Sequence, residues 1–198
     1  TSVTDPLGNI TAFSYDTTDN LSQVTNALKG TTTYDYDSMG RAKQMTDALG
    51  NSYGYQYDHN GNLTIITFPN GDKVAFEYDA AGNVVKSTDA QGLETTYEYD
   101  GMGRIIHASD NAKNSLSYTY DTAGNVTSQT DGLGRAATYA YDVYGRLLQV
   151  TEADGSVTSY EYDVMDRLAA VTDAEGRRTA FAYDKAGNLV SMSEADGA

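Results

Sequence analysis

Two histidines, His59 and His107, are the side chains in this sequence whose ordinary pKa suits proton transfer near neutral pH. His59 lies in the stretch Asp58-His59-Asn60-Gly61, which reads as a turn, and His107 lies on an alternating stretch that reads as a strand. Neither recurs, and spacing gives neither a nucleophile or a carboxylate to work with, so both read as surface residues. With no cysteine, thiolate catalysis, thiolate metal sites and disulfides are all excluded. Serines and carboxylates abound, but neither a nucleophile elbow nor a metal-spaced cluster is expected from their order. No catalytic, cofactor-binding or metal-binding residue is assigned, and the chain is not expected to be an enzyme.

Two recurring residue types remain. Aspartate returns at fixed intervals, and rows of carboxylates could hold calcium. Calcium loops, however, carry closely spaced Gly and Asp or alternating carboxylates before a Gly, and neither arrangement occurs. Capping of turns is the better reading of these aspartates. Tyrosine also recurs, 17 times in all. Its half-polar ring could stack on sugars, the principal alternative function, although cross-strand aromatic pairs are also the ordinary unit of sheet stabilisation.

The spacing decides what positions these residues. The dipeptide Tyr-Asp recurs every 21 residues without insertion or deletion: Tyr15-Asp16, Tyr36-Asp37, Tyr57-Asp58, Tyr78-Asp79, Tyr99-Asp100, Tyr120-Asp121, Tyr141-Asp142, Tyr162-Asp163 and Tyr183-Asp184. Two positions before each comes another aromatic: Phe13, Tyr34, Tyr55, Phe76, Tyr97, Tyr118, Tyr139, Tyr160 and Phe181. Residues at i and i+2 of a strand share a face, so the approach to Tyr-Asp predicts a strand with an aromatic pair on one side. Three residues after the aspartate stands Gly40, Gly61, Gly82, Gly103, Gly124, Gly145 or Gly187, or aspartate at Asp19 and Asp166. Asp-x-x-Gly is the signature of a type I turn whose last residue is left-handed, a conformation that aspartate tolerates better than most. These Tyr, Asp and Gly residues are the structural signature of the repeat.

After the turn comes Asn or Arg, then an aliphatic residue or alanine opening a second strand that ends in Thr or Ser, from Leu21 and Thr25 to Leu189 and Ser193. A second turn follows, as in Asp47-Ala48-Leu49-Gly50. Asn26-Ala27-Leu28-Lys29 and Asp110-Asn111-Ala112-Lys113 lack its glycine, so longer or looser loops are expected there. Arg41, Arg104, Arg146 and Arg167 follow the first turn and are expected to meet turn carboxylates at the surface. Aliphatic residues at neighbouring and alternate positions, as in Leu147, Leu148 and Val150, leave a bulge or burial on both faces open for the second strand.

The fold expected is therefore all-β, a single array over residues 1–198: a partial repeat at 1–11, then nine antiparallel β-hairpins. Roughly 18 strands at about 4.8 Å each make a ribbon too wide to stay flat, so a curved, spiralling sheet is expected. The array reads as a piece of a longer one. A formal net charge of -15 repels phosphate backbones, which excludes nucleic acid as a partner. No segment is apolar enough to span a bilayer, and Thr1-Ser2-Val3-Thr4 does not open a signal peptide.

The stretch from Asp131-Gly132-Leu133-Gly134 through Tyr139-Ala140-Tyr141-Asp142-Val143-Tyr144-Gly145-Arg146-Leu147 resembles the YD-repeat or Rhs (rearrangement hotspot) family, and its pattern recurs over essentially the whole chain. The resemblance implies a sheet that spirals into a hollow shell, as in bacterial polymorphic toxins, the encapsulating subunits of Tc toxins and the teneurins. It also implies a secreted or cell-surface bacterial protein whose shell encloses a C-terminal toxin or effector, with neighbouring repeats of the same chain as partners. The family's autocleavage motif, with its paired Asp-Pro segments, is not inherited: Asp5-Pro6 sits in an ordinary second turn, and Pro69 is the other proline.

Overall fold

The computed structural model describes residues 1–195. Every regular element among them is a β-strand, in two compact units. The first unit, Thr1–Thr96, holds β1 (Ser2–Thr4), β2 (Ile10–Tyr15), β3 (Leu21–Thr25), β4 (Thr31–Tyr36), β5 (Ala42–Thr46), β6 (Ser52–Tyr57), β7 (Leu63–Thr67), β8 (Lys73–Tyr78), β9 (Val84–Thr88) and the start of β10 (Glu94–Tyr99). The second, Tyr97–Ala198, holds the end of β10, β11 (Ile105–Asp110), β12 (Ser115–Tyr120), β13 (Val126–Asp131), β14 (Ala136–Tyr141), β15 (Leu147–Thr151), β16 (Val157–Tyr162), β17 (Leu168–Thr172), β18 (Arg178–Tyr183) and β19 (Leu189–Ala195). Within each unit, strands consecutive in sequence pair antiparallel, so the chain is a run of hairpins.

Two turn rows punctuate this run. In the first turn the Asp37 N–H donates to the Arg41 carbonyl at 2.9 Å and the Gly40 N–H to the Asp37 carbonyl at 3.0 Å, with Gly40 at φ 76°. This is a type I turn closed by a left-handed residue, which matches the right-handed twist of the flanking strands. Asp19 and Asp166 take the same position at φ 62°. The second turns at Lys29 and Lys113 are neither longer nor looser than the rest, contrary to the expectation from sequence. The Lys29 N–H reaches the Asn26 carbonyl at 3.0 Å and the Lys113 N–H the Asp110 carbonyl at 3.1 Å. Each lysine is instead held left-handed, at φ 66° and 71°. The pull of the two flanking strands outweighs a cost of about 1–2 kcal/mol for a side chain in that region.

Within a repeat, the two strands pair as Ala12↔Thr25, Phe13↔Val24, Ser14↔Gln23 and Tyr15↔Leu21, so Ser22 is left over. The same step recurs at Tyr36, Tyr57, Tyr78, Tyr120, Tyr141, Tyr162 and Tyr183. A bulge in the second strand of each of these hairpins answers the question left by Leu147, Leu148 and Val150: Leu147 and Val150 face Tyr141 and Tyr139, and Leu148 is the extra residue. One face therefore carries the aromatic columns and their cross-strand partners, aliphatic or Met in most repeats but Ser87 opposite Phe76 and Gln129 opposite Tyr118. The other carries Thr-Thr pairs such as Thr33↔Thr46 and polar pairs such as Glu77↔Lys86.

With one layer of sheet there is no conventional core. Among the described residues Ala170 is the one fully buried apolar residue. It lies on the polar face, where Arg178 on β18 bonds Glu161 on β16 through two nitrogens, at 3.2 and 2.8 Å, across the intervening β17. The aromatic face is half-buried by its own neighbours, repeat upon repeat.

Candidate functional site at the repeat seam

Pairing between repeats is shorter than pairing within them. β3 and β4 share three residue pairs, Gln23↔Thr33, Val24↔Thr32 and Thr25↔Thr31, all near the second turn. Leu21 and Ser22 lie past the end of this ladder, so the seam opens toward the first turn. There the Tyr36 hydroxyl donates to the Leu21 carbonyl at 2.8 Å. A buried carbonyl left without a donor would cost about 1–3 kcal/mol, so the phenol closes the gap that the ladder leaves.

This contact recurs at five further seams. Tyr57 donates to Ala42 at 2.8 Å, Tyr78 to Leu63 at 2.7 Å, Tyr120 to Ile105 at 2.6 Å, Tyr162 to Leu147 at 3.0 Å and Tyr183 to Leu168 at 2.9 Å. Burial pushes the Tyr36 and Tyr141 phenols above the usual tyrosine range. Tyr15, in the first hairpin, is 51% exposed. Tyr99 ends β10, and its aspartate Asp100 opens the same turn as the others, with Gly103 left-handed at φ 76°. The companion column two residues earlier includes Phe13, Phe76 and Phe181, whereas the Tyr-Asp column is tyrosine throughout. The hydroxyl bond explains that difference in physical terms, with no sugar required.

Arginine adds a second tie across the seam. The Arg41 Nε bonds its own turn carboxylate, Asp37, at 2.7 Å, while Nη1 donates to the Asp58 carbonyl of the next repeat at 3.1 Å. Its guanidinium lies 4.6 Å from the centre of the Tyr57 ring. Arg104 does the same with Asp100, Asp121 and Tyr120, at 4.3 Å from the ring, and Arg167 with Asp163, Asp184 and Tyr183 at 4.6 Å. Arg146 bonds Asp142 and Asp166 and lies between the Tyr144 and Tyr162 rings. The arginines were expected only at turn carboxylates; their reach to the following repeat was not legible from the sequence. Where asparagine replaces arginine, as at Asn62, Asn83 and Asn125, the amide bonds its own turn aspartate.

The turn aspartates accept hydrogen bonds from their own turns. Asp58 Oδ1 accepts the N–H groups of Asn60 and Asn62, and Oδ2 accepts the Asn62 amide. Asp16, Asp37, Asp79, Asp121, Asp163 and Asp184 repeat this pattern with the residues two and four positions on. The Asn62, Asn83, Asn125 and Asn188 amides, followed by backbone N–H groups, hold the carboxyls of Asp58, Asp79, Asp121 and Asp184 below the usual range. For Asp37 the Arg41 backbone N–H is the larger cause. Among the described residues no three His, Cys, Asp or Glu side chains gather as a metal site would require.

The histidines lie apart from this seam chemistry. His59 occupies a turn, and His107 Nδ1 is 2.9 Å from the Ser117 hydroxyl, its cross-strand neighbour on the polar face. Gly50-Asn51-Ser52-Tyr53-Gly54 does spell Gly-x-Ser-x-Gly, which the reading of the sequence passed over. Ser52 opens β6 in a hairpin, where the Gln44 amide donates to its hydroxyl at 2.6 Å. The elbow needs a strand-to-helix turn that exposes the serine, so the pattern carries no nucleophile here.

The fold is shared with solved structures of TcdB2-TccC3 and of a Tc holotoxin pore. TcdB2-TccC3 without its hypervariable C-terminal region matches with a TM-score of 0.68 at 16% identity, covering 98% of this chain and 13% of that one. The mutant Tc holotoxin pore of Photorhabdus luminescens matches with a TM-score of 0.64 at 19% identity, covering 94% of this chain and 11% of that one. TcdB2-TccC3-TEV gives 0.55 at 17% identity, over 95% and 14%. At these identities the likeness is one of fold, and this chain spans about an eighth of those chains' length. No curated protein sequence matches it. The family model described as Teneurin YD-shell matches residues 7–77 and 96–194, most of the chain, and with the periodic Tyr-Asp seam it establishes that the chain belongs to the YD-shell repeat family.

Proposed function

We propose that residues 1–198 are one continuous wall segment of a larger shell, in a secreted or cell-surface bacterial protein, and that the shell encloses a C-terminal toxin or effector. The observation that carries this reading is the seam itself. Six repeats commit the phenol, and four the arginine, to the neighbouring repeat, so much of the chemistry of the repeat is spent on continuing the sheet. Such a strip bends by the same small step at every seam, since identical repeats impose identical rotations. The likeness in fold to TcdB2-TccC3 and the YD-shell family match support the shell, and the engagement of the turn carboxylates in turn hydrogen bonds fits a non-enzymatic role.

Electron microscopy of the parent polypeptide tests the proposal, together with protease protection of the sequence that follows the array. Hollow particles that shield a C-terminal domain until denatured are expected. A solid rod, or an array followed by an anchor with no effector, would overturn the reading.

A further inference from the structure

Asparagine followed by glycine is the pair at which a protein chain most readily modifies itself, because glycine has no side chain to shield the backbone nitrogen that attacks the neighbouring amide. The sequence holds two such pairs, Asn60-Gly61 and Asn70-Gly71. Both lie in turns, both asparagines are exposed, and both glycines are left-handed, at φ 94° and 90°. Exposure and backbone therefore do not tell them apart, but their hydrogen bonds do. The Asn70 side chain is held at both ends by Asp72: Nδ2 donates to Oδ2 at 2.6 Å, and Oδ1 accepts the Asp72 N–H at 3.1 Å. The Gly71 N–H donates to the Phe68 carbonyl at 2.9 Å. The Asn60 side-chain amide, by contrast, has no partner among the described residues. The Gly61 N–H reaches the Asp58 carbonyl at 3.2 Å, longer than the usual spacing of about 2.9–3.0 Å, and shares that carbonyl with Arg41 Nη1. Both groups that would react are thus held more loosely in the first pair. Asn62, Asn83 and Asn125, which close first turns, also pin their amides on turn aspartates.

We propose that Asn60-Gly61 is a site of spontaneous deamidation and that Asn70-Gly71 is its protected counterpart. The Gly61 nitrogen bonds to the Asn60 Cγ, the Cγ–Nδ2 bond breaks, and ammonia leaves with the proton that the Gly61 nitrogen gives up. The five-membered imide ring then takes up one water at either carbonyl. Opening at one returns aspartate on an ordinary backbone; opening at the other returns isoaspartate, whose backbone runs through the side-chain carbon. No oxidant and no second protein group is needed. The two products differ in consequence. The third turn position accepts Thr18, Met39 and Ala81 in other repeats, so aspartate there leaves the turn intact. Isoaspartate lengthens the backbone between Asp58 and Gly61 and displaces the Asp58 carbonyl that Arg41 reaches from the preceding repeat. The tie at risk lies at the β5–β6 seam, between two hairpins that are each paired on both sides.

Incubation of the full chain at neutral pH, followed by peptide mapping in a mass spectrometer and an isoaspartate assay, tests this. Conversion at Asn60 is expected to run about tenfold faster than at Asn70, which corresponds to about 1.4 kcal/mol of barrier. In denaturing urea, where the turn hydrogen bonds are gone, the two rates should converge. Asp72→Ala removes the acceptor of the Asn70 amide and should speed conversion at Asn70 in the folded chain, with Asn60 unchanged. Equal rates in the folded chain, or faster conversion at Asn70, would overturn the proposal. So would a ratio that persists in urea, since local sequence and not the fold would then set it. Thermal melts test the consequence: aged protein should melt below fresh protein, whereas fresh Asn60→Asp should match it. An equal loss in fresh Asn60→Asp would place the effect in the added charge and overturn the account of the displaced carbonyl.

Discussion

Replacing Tyr120 by phenylalanine removes one oxygen from a seam inside the second unit. The lost bond runs 2.6 Å to the Ile105 carbonyl, which lies beyond the ladder joining β11 to β12. The net worth of such a bond is about 0.5–1.5 kcal/mol, and a partly buried carbonyl left bare raises the loss to about 1–2 kcal/mol. For a chain of this size that lowers the melting temperature by roughly 2–8 °C. The control is Tyr118→Phe, in the column where Phe13, Phe76 and Phe181 already occur, and whose hydroxyl has no partner among the described residues. It should change stability by less than about 0.5 kcal/mol. Urea titrations and thermal melts followed by circular dichroism give both values. Equal losses at the two positions, or no loss at Tyr120, would refute the argument that the Tyr-Asp hydroxyl closes the seam.

Three more outcomes follow from the same geometry. Arg104→Asn keeps the turn bond, as Asn125 does with Asp121, but drops the reach to Tyr120 and the Asp121 carbonyl; a loss of about 0.5–1 kcal/mol in urea titration is expected. Lys113→Gly relieves a left-handed lysine at φ 71° and should stabilise the protein by about 0.5–1 kcal/mol in the same assay. Because hydrogen bonds depress the turn carboxyls in the folded state, their contribution is present above the unfolded aspartate pKa and is lost as the pH falls through the folded values. Melting temperature should thus hold level from pH 7 to about 5 and fall below about 4; a level profile down to pH 2.5 would contradict the capping role.

Period, strands and both turn rows were legible in the sequence because each rests on local chemistry: alternation for the strands, Asp and Gly for the turns. The aromatic columns were legible for the same reason. What Tyr36 does with its hydroxyl was not, since its acceptor, Leu21, lies 15 residues away and across a seam whose length no local pattern encodes. Arg41 is the same case at 17 residues. The bulge at Leu148 could be raised but not decided, because two neighbouring aliphatic residues fit a bulge and a doubly covered strand equally well. Lys29 and Lys113 misled in the opposite direction. Turn chemistry argued against an ordinary loop there, and the strands on either side imposed one.

The alternation of longer and shorter ladders sets how the array answers to mechanical force. Pulled across its strands, an antiparallel ladder peels pair by pair, and the three-pair seam should yield before the hairpin it joins. Each detached hairpin then releases its 21 residues as slack, up to about 70 Å of extended chain. The strip would lengthen in equal increments under tension, each marked by the parting of one phenol from one carbonyl.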